Sequence, residues 1–385
     1  MTHPTIRNVA ELAADAPALA ETLGARMDVA GRVGDTWFVG GAGAVQRPGS
    51  ITKVVTATAV MQLVDEGRVA LDDPVSRWVP FIRPDVHVHH LLSHSSGIDA
   101  TDVFVDTGED DDAIARYVEL LDGVGSVFEP GETCSYNNAG MVLAGRIVEL
   151  ERDATYEDAC TEHVLERAGM EGASFELARN GNPMCSRGLA PAGATLQCTA
   201  TDLVQLATSR DLVRPETAAL MRTLRVDAPG GVRQNRGFGL GWQVWRNEHG
   251  ETARHGGAFP GSSAVLVHDV ARDAAIAFMS PFGHGINAIN PLLDPRGATA
   301  EDEQPSSLDV YLGEYTSQMA TVRVARAEDG DGLTLQLGSF PPMPIELVDR
   351  STFTLAGEPF AFFDFEPDGT PRFMRFRMRV QRHLR

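Results

Sequence analysis

Lysine is almost missing from these 385 residues. Lys53 stands alone, and every other basic residue is an arginine. Arginine stays charged at any working pH, whereas a buried lysine can release its proton. The one lysine sits three residues after a serine, in Ser50-Ile51-Thr52-Lys53. An amine that takes a proton from a neighbouring hydroxyl makes that serine a nucleophile. A lone S-x-x-K also arises by chance in a chain of this size, so the pair needs further motifs to carry weight.

Other scarcities exclude whole classes. The four cysteines, Cys134, Cys160, Cys185 and Cys198, have no C-x-x-C spacing and are too few for a disulfide scaffold. They read as reduced, packed thiols. No apolar run is long enough to cross a membrane. The start, Met1-Thr2-His3-Pro4, leads into an acidic helical pattern rather than a secretory signal, and the expectation is a cytoplasmic protein. Positive charge is in deficit: the net charge of −20 argues against nucleic acid and anionic membrane surfaces as partners. What remains is ordinary globular composition, 43% hydrophobic and 22% charged, enough to bury a sizeable core.

Along the chain, residues 8–26 read as a leading helix, and Met27 to Val33 with Thr36 to Gly41 as a hairpin around Gly34-Asp35. A long helix runs from Ser50 to about Asp65. It is apolar on most sides, hence central and buried, and Gly67 ends it. Residues 86–180 are helical and loop-rich. From Gly237 the pattern turns to strands, with Arg254 to Ala258, Ser263 to His268 and Ala274 to Phe278 in succession. Strands at both ends around a helical middle predict an α+β fold: one antiparallel sheet built from both ends, flanked by helices, plus a helical lobe. The catalytic unit is expected over 1–289, a proline-containing, acidic linker over 290–305, and a small barrel-like antiparallel β domain over 306–385. Phe373 to Val380, where arginines alternate with apolar residues from Met374 on, reads as a strand, and the arginines from Arg372 to Arg385 as its exposed face rather than a basic patch.

Three motifs carry the chemistry. Ser50 and Lys53 share a helix face, and the helix start offers a positive end to a developing oxyanion. Tyr136-Asn137-Asn138 supplies a tyrosine that can act as a base near cationic groups, and Asn138 can donate to a substrate carbonyl. His255-Gly256-Gly257-Ala258 reads as a strand whose glycines admit close approach, and the amides of Ala258 and Ser50 can form an oxyanion hole.

With their flanks, these motifs make the chain resemble the serine β-lactamase and penicillin-binding-protein superfamily, in its class C-like branch. The flanks are Pro48-Gly49, His90-Leu91-Leu92-Ser93-His94-Ser95-Ser96-Gly97, Phe128-Glu129-Pro130-Gly131 and Gly239-Leu240-Gly241-Trp242. The resemblance covers roughly residues 10–285. It implies a β-lactamase/transpeptidase-like fold, no cofactor and no metal. It implies Ser50 as the acylated nucleophile, Lys53 and Tyr136 as its proton acceptors and donors, Asn138 as a substrate ligand, and His255 at the border of the site. The expected reaction is acyl transfer from a small ester or amide to water or an amine. Natural-product biosynthesis fits the transacylase members of the branch. Where β-lactamases and transpeptidases usually carry lysine in the third motif, this chain has His255. That favours esterase, amidase or transacylase over β-lactamase or D-amino-acid peptidase.

Arg254 should point to the opposite face from His255, so it is no substitute for that lysine. His87, His89, His90 and His94 invite a zinc hypothesis but lack a defined ligand set, and a structural turn is the expectation. The acidic run Asp106 to Asp112 is expected to be a solvated loop, with lining of the site mouth as the alternative. A non-catalytic binding protein on the same scaffold is the competing reading from another class. The sequence leaves the oligomeric state open.

Overall fold

The computed structural model describes residues 8–24, 27–100, 104–178, 181–228, 236–247, 249–282, 307–317, 321–327, 330–347, 350–355, 358–366, 369–376 and 379–384. The expected linker at 290–305 lies outside the described residues. So does the Met1-Thr2-His3-Pro4 start.

Eight strands form one antiparallel sheet, two from residues 28–40 and six from residues 226–280, so strands from both sides of the helical middle join it, as expected. The order across it is Thr36–Gly40, Asp28–Val33, Ala274–Ser280, Ser262–Asp269, Gly250–Phe259, Gln243–Asn247, Arg236–Phe238 and Val226–Asp227. The N-terminal hairpin therefore docks on the last strand of the sheet, pairing Val29 with Phe278 and Ala30 with Ala277. The leading helix is two helices, Val9–Ala14 and Ala16–Leu23. Asn8 caps the first with a capping box, Asp15 breaks it, and Pro17 opens the second. They cover one face of the sheet through Leu12, Ala13, Val29, Val265, Ile276 and Phe278.

The other face holds the main core. Its centre is the helix Thr52–Asp65, which follows a 3₁₀ turn at Gly49–Ile51 and is buried from Thr52 to Leu63. Such a helix has no polar face because protein surrounds it: Val54, Val55, Val60 and Leu63 pack on Met141, Leu143 and Ile147 of the helix Asn138–Arg152. All four cysteines are buried, and they form no disulfide with one another.

Beyond residue 306, eight strands from Gly313–Thr316 to Arg379–Leu384 close into an antiparallel barrel, its last strand paired with its first through Glu314 and Leu384. Its interior is filled by Tyr311, Tyr315, Phe353, Phe363 and Met374, the rings meeting edge to face. The run Phe373 to Val380 is not one strand. It is split into Pro371–Phe376 and Arg379–Leu384, paired through Phe376 and Arg379. From Met374 to Val380 apolar residues and arginines alternate without a break, so composition does not mark the boundary between the two strands. Nor is every arginine there solvated: Arg372 is 41% exposed, but Arg375 is only 3% exposed, because the catalytic unit covers it.

Candidate active site

Ser50 lies in the 3₁₀ turn that opens the central helix, and Gly49 enters it with φ of +54°, a conformation other residues rarely adopt. Lys53, one turn on, is completely buried. Its Nζ lies 3.2 Å from Ser50 Oγ and donates to the Ala192 carbonyl at 2.6 Å. Thr56, on the same helix face, donates to the Pro191 carbonyl at 2.8 Å. The lysine's carbonyl partner is thus fixed to the lysine's own helix.

Tyr136 stands over this pair. Lys53 Nζ lies 4.9 Å from the centre of its ring, a cation–π distance. Asn137 is the N-cap of the helix Asn138–Arg152: its side chain accepts from the Gly140 N–H at 2.9 Å and donates to the Ile98 carbonyl at 2.8 Å. That cap leaves Asn138, itself buried, as the first residue of the helix beside the tyrosine.

The strand Gly250–Phe259 brings the third motif. Its backbone runs so close to the serine turn that a Cβ on Gly257 would stand 1.8 Å from the Pro48 carbonyl oxygen and 3.2 Å from the Ser50 nitrogen. A Cβ on Gly49 would stand 2.9 Å from the Ala258 nitrogen. The amides of Ser50 and Ala258 are therefore neighbours, as an oxyanion hole requires. Gly257→Ala forces these two segments apart. It should lower acylation at least about tenfold and cost about 1–3 kcal/mol of stability, read by thermal melting and ester kinetics. Gly256, whose added Cβ meets nothing within 4 Å, should keep the wild-type melting temperature as alanine and serves as the folding control.

His255 is buried beside these groups, its ring centre 6.4 Å from that of Tyr136. Its Nδ1 contacts its neighbour's carbonyl, Gly256 O, at 2.8 Å, which places the ring proton there and leaves Nε2 as an acceptor. Burial, and then the Lys53 charge, push His255 down to about 3. It is a neutral group at working pH and brings no cation to the third motif. Arg254, one residue earlier, turns its guanidinium onto Trp245 at 3.8 Å.

Sequence reasoning missed His94. It was grouped with His87, His89 and His90, but the chain turns at His94 with φ of +58° and sends its ring under Tyr136, 4.5 Å between centres. Its Nδ1 accepts the Asn137 N–H at 3.1 Å, and its carbonyl accepts the Ser135 N–H at 2.8 Å. The other three do come together, with candidate ligand atoms within 4.8 Å of one another. Yet the His90 ring accepts the His87 N–H at 3.0 Å, and the His87 ring accepts the His90 N–H. One nitrogen of each of these two rings is therefore taken up by a backbone N–H of the turn. His87 and His90 cap the helix Val88–Leu92, and His89 Nε2 lies 3.4 Å from Asp72. In the acidic run, Glu109 lines a cavity of about 450 Å³ together with Glu157, Glu176, Arg187 and Thr195.

These buried histidines set an acid limit. Burial is the main cause of the depression at each: His255 and His268 fall to about 3, His90 to about 4, and His94 well below its ordinary value. Between about 6.5 and 3 the unfolded chain binds protons that the folded chain refuses, so stability falls as pH falls through that window. The melting temperature should drop on the order of 10 °C from pH 7.5 to 4.5. A flat profile would show these rings to be solvated.

Residues 41–287 match the family described as Beta-lactamase, close to the span that carries the sequence resemblance. Penicillin-binding protein 4 of Amycolatopsis lactamdurans is 32% identical over 270 residues, which are 57% of this chain and 70% of that protein. Among solved structures, SurE with D-Leu superposes with a TM-score of 0.78 at 23% identity, covering 96% of this chain and 98% of that one. A D-stereospecific amidohydrolase from Streptomyces sp. gives 0.59 at 24% identity, covering 74% and 98%. At those identities the structural likeness is one of fold, and the first of the two includes the barrel. The chain belongs to the Beta-lactamase family, and it is an enzyme of the serine hydrolase and acyl-transfer kind.

Proposed function

We propose that Ser50 is acylated by a small ester or amide whose acyl group ends in a D-configured residue, and that the acyl group then passes to water or to an amine. The observation that carries this reading is Lys53 Nζ, wholly buried and 3.2 Å from Ser50 Oγ. In the proposed cycle the neutral Lys53 amine takes the Ser50 proton as Oγ bonds to the carbonyl carbon. The amides of Ser50 and Ala258, at the close approach of Gly256-Gly257 to the serine turn, hold the oxyanion, and Asn138 orients the acyl chain. The tetrahedral adduct collapses, and the leaving oxygen or nitrogen takes a proton from the Lys53 and Tyr136 pair. Water or an amine then attacks the ester carbonyl and gives a proton to the same pair, which returns it to Ser50 Oγ as the bond between Oγ and the acyl carbon breaks.

The D preference rests on the relatives: SurE was solved with D-Leu, and the amidohydrolase is D-stereospecific. A neutral His255 supports esterase, amidase or transacylase over β-lactamase, since it gives a β-lactam carboxylate no charge to rest on. A transacylase acting in natural-product biosynthesis, working on its own without cofactor, fits the same site, as does the division into a catalytic unit at 1–289 and a barrel at 306–385.

The test is a matched panel of D- and L-aminoacyl activated esters, with and without amine acceptors. The D donors should react at least about tenfold faster. Amide formed at the expense of free acid selects the transacylase. Tyr136→Phe should slow the reaction by about 10²- to 10⁴-fold while donor binding stays close to wild type. Equal rates with D and L donors would remove the stereochemical part of the reading, and an unimpaired Tyr136→Phe would remove the tyrosine from the proton path.

A further inference from the structure

The barrel grips the chain immediately before Tyr136. Arg375, on the barrel strand Pro371–Phe376, donates from one terminal nitrogen to the Cys134 carbonyl and from the other to Thr133 Oγ1. Its Nε donates to Asp364 on the neighbouring strand Glu358–Phe365 at 2.8 Å. One residue on, Ser135 Oγ accepts the Val380 N–H at 3.0 Å. One residue before, Glu132 pairs with Arg372. Four consecutive residues, Glu132 to Ser135, are thus bonded to the barrel. The guanidinium of Arg379 then lies 5.4 Å from the centre of the Tyr136 ring. Beneath the contact, Phe373 and Val380 pack on Val127 and Phe128.

Docking alone needs no such arrangement. The apolar cluster suffices to hold two units together, and buried charge is a costly way to do so. Arg375 is buried with a carboxylate partner supplied from within the barrel, so its fork is set before it meets the catalytic unit. What it meets is backbone and a short side chain in the segment that leads to the tyrosine. On the far side the same segment is held by His94, through the Ser135 and Asn137 amides. Tyr136 is therefore fixed from two sides, one of them supplied by the barrel.

We propose that the barrel is a positioning element of the active site, and that Arg375, oriented by Asp364, is a positioning residue for Tyr136. The proposal rests on the acyl-transfer reading above. A barrel filled by its own aromatic rings is suited to that task, being a rigid support rather than a ligand container.

The experiment uses the full chain with Arg375→Met, which keeps the stem and removes the fork, and Arg375→Lys, which keeps charge without the fork. Hydrogen exchange of the 132–138 amides is read alongside ester kinetics. In both variants these amides should exchange faster. In both, kcat should fall by about 10- to 100-fold with KM within about threefold, as expected when a reacting group shifts by a fraction of an ångström. In a Tyr136→Phe background, Arg375→Met should have little further effect on kcat, because it acts through the tyrosine. Should Arg375→Met fail to fold, Ser135→Ala, which deletes only the acceptor of the Val380 N–H, should show the same pattern at about three- to tenfold. Unchanged kcat, full rescue by lysine, or additive losses in the double variant would overturn the proposal. If the wild type forms no acyl adduct, the function reading fails by itself. The exchange data then still decide the clamp: unchanged protection of 132–138 rejects it, and raised exchange upholds the mechanical part.

Discussion

Lys53→Arg should lower acylation by about a thousandfold or more, though the substitution keeps the charge. Lys53 is completely buried and reaches two oxygens, Ser50 Oγ and the Ala192 carbonyl. Arginine fails there twice. Its planar fork is larger than an ammonium and must displace the Arg187–Ala192 segment that Thr56 ties to the central helix. It also cannot release a proton at workable pH, so it cannot accept the one on Ser50. Loss of a positioned general base costs about 10²- to 10⁴-fold, and the steric misfit adds to that. Single-turnover acylation by an activated ester measures it, with melting temperature as the check on folding. A Lys53→Arg enzyme within tenfold of wild type would remove the lysine from the proton path.

Ser50→Ala should reduce turnover on the order of 10⁴- to 10⁶-fold, the largest effect of any single substitution here. The side chain is small and part-exposed, so the change should leave the melting temperature within about 2 °C of wild type. Donor affinity should persist, because the groups proposed to hold the acyl chain, Asn138 and the strand from His255 to Ala258, are untouched. A variant that binds and does not turn over separates the catalytic reading from that of a binding protein on the same scaffold.

Much of this was legible in the sequence because it is local. The serine and lysine lie one helical turn apart, the tyrosine stands at a helix start capped by Asn137, and the glycines sit in a strand whose period is plain. Each signal spans fewer than a dozen residues. The sheet was legible too, since strands at both ends of a chain with a helical middle have few ways to pair. The barrel's role was not. Arg375 meets Cys134 across a separation of 241 residues, and no local pattern distinguishes an arginine that faces solvent from one that faces a neighbouring unit. The run from Phe373 to Val380 was correctly strand-like, and within it Arg375 was wrongly assigned to water. His94 failed for the opposite reason: three nearby histidines made a cluster in sequence, and a single left-handed residue took the fourth to the tyrosine.

The most direct test of the account is the intact mass of wild type and Ser50→Ala after brief exposure to an activated ester of a D-amino acid. The account predicts one acyl increment on wild type, lost on the variant, and mapped by peptide analysis to the segment that holds Ser50. An increment of equal size on both proteins, or turnover of the ester by the variant at the wild-type rate, would contradict it.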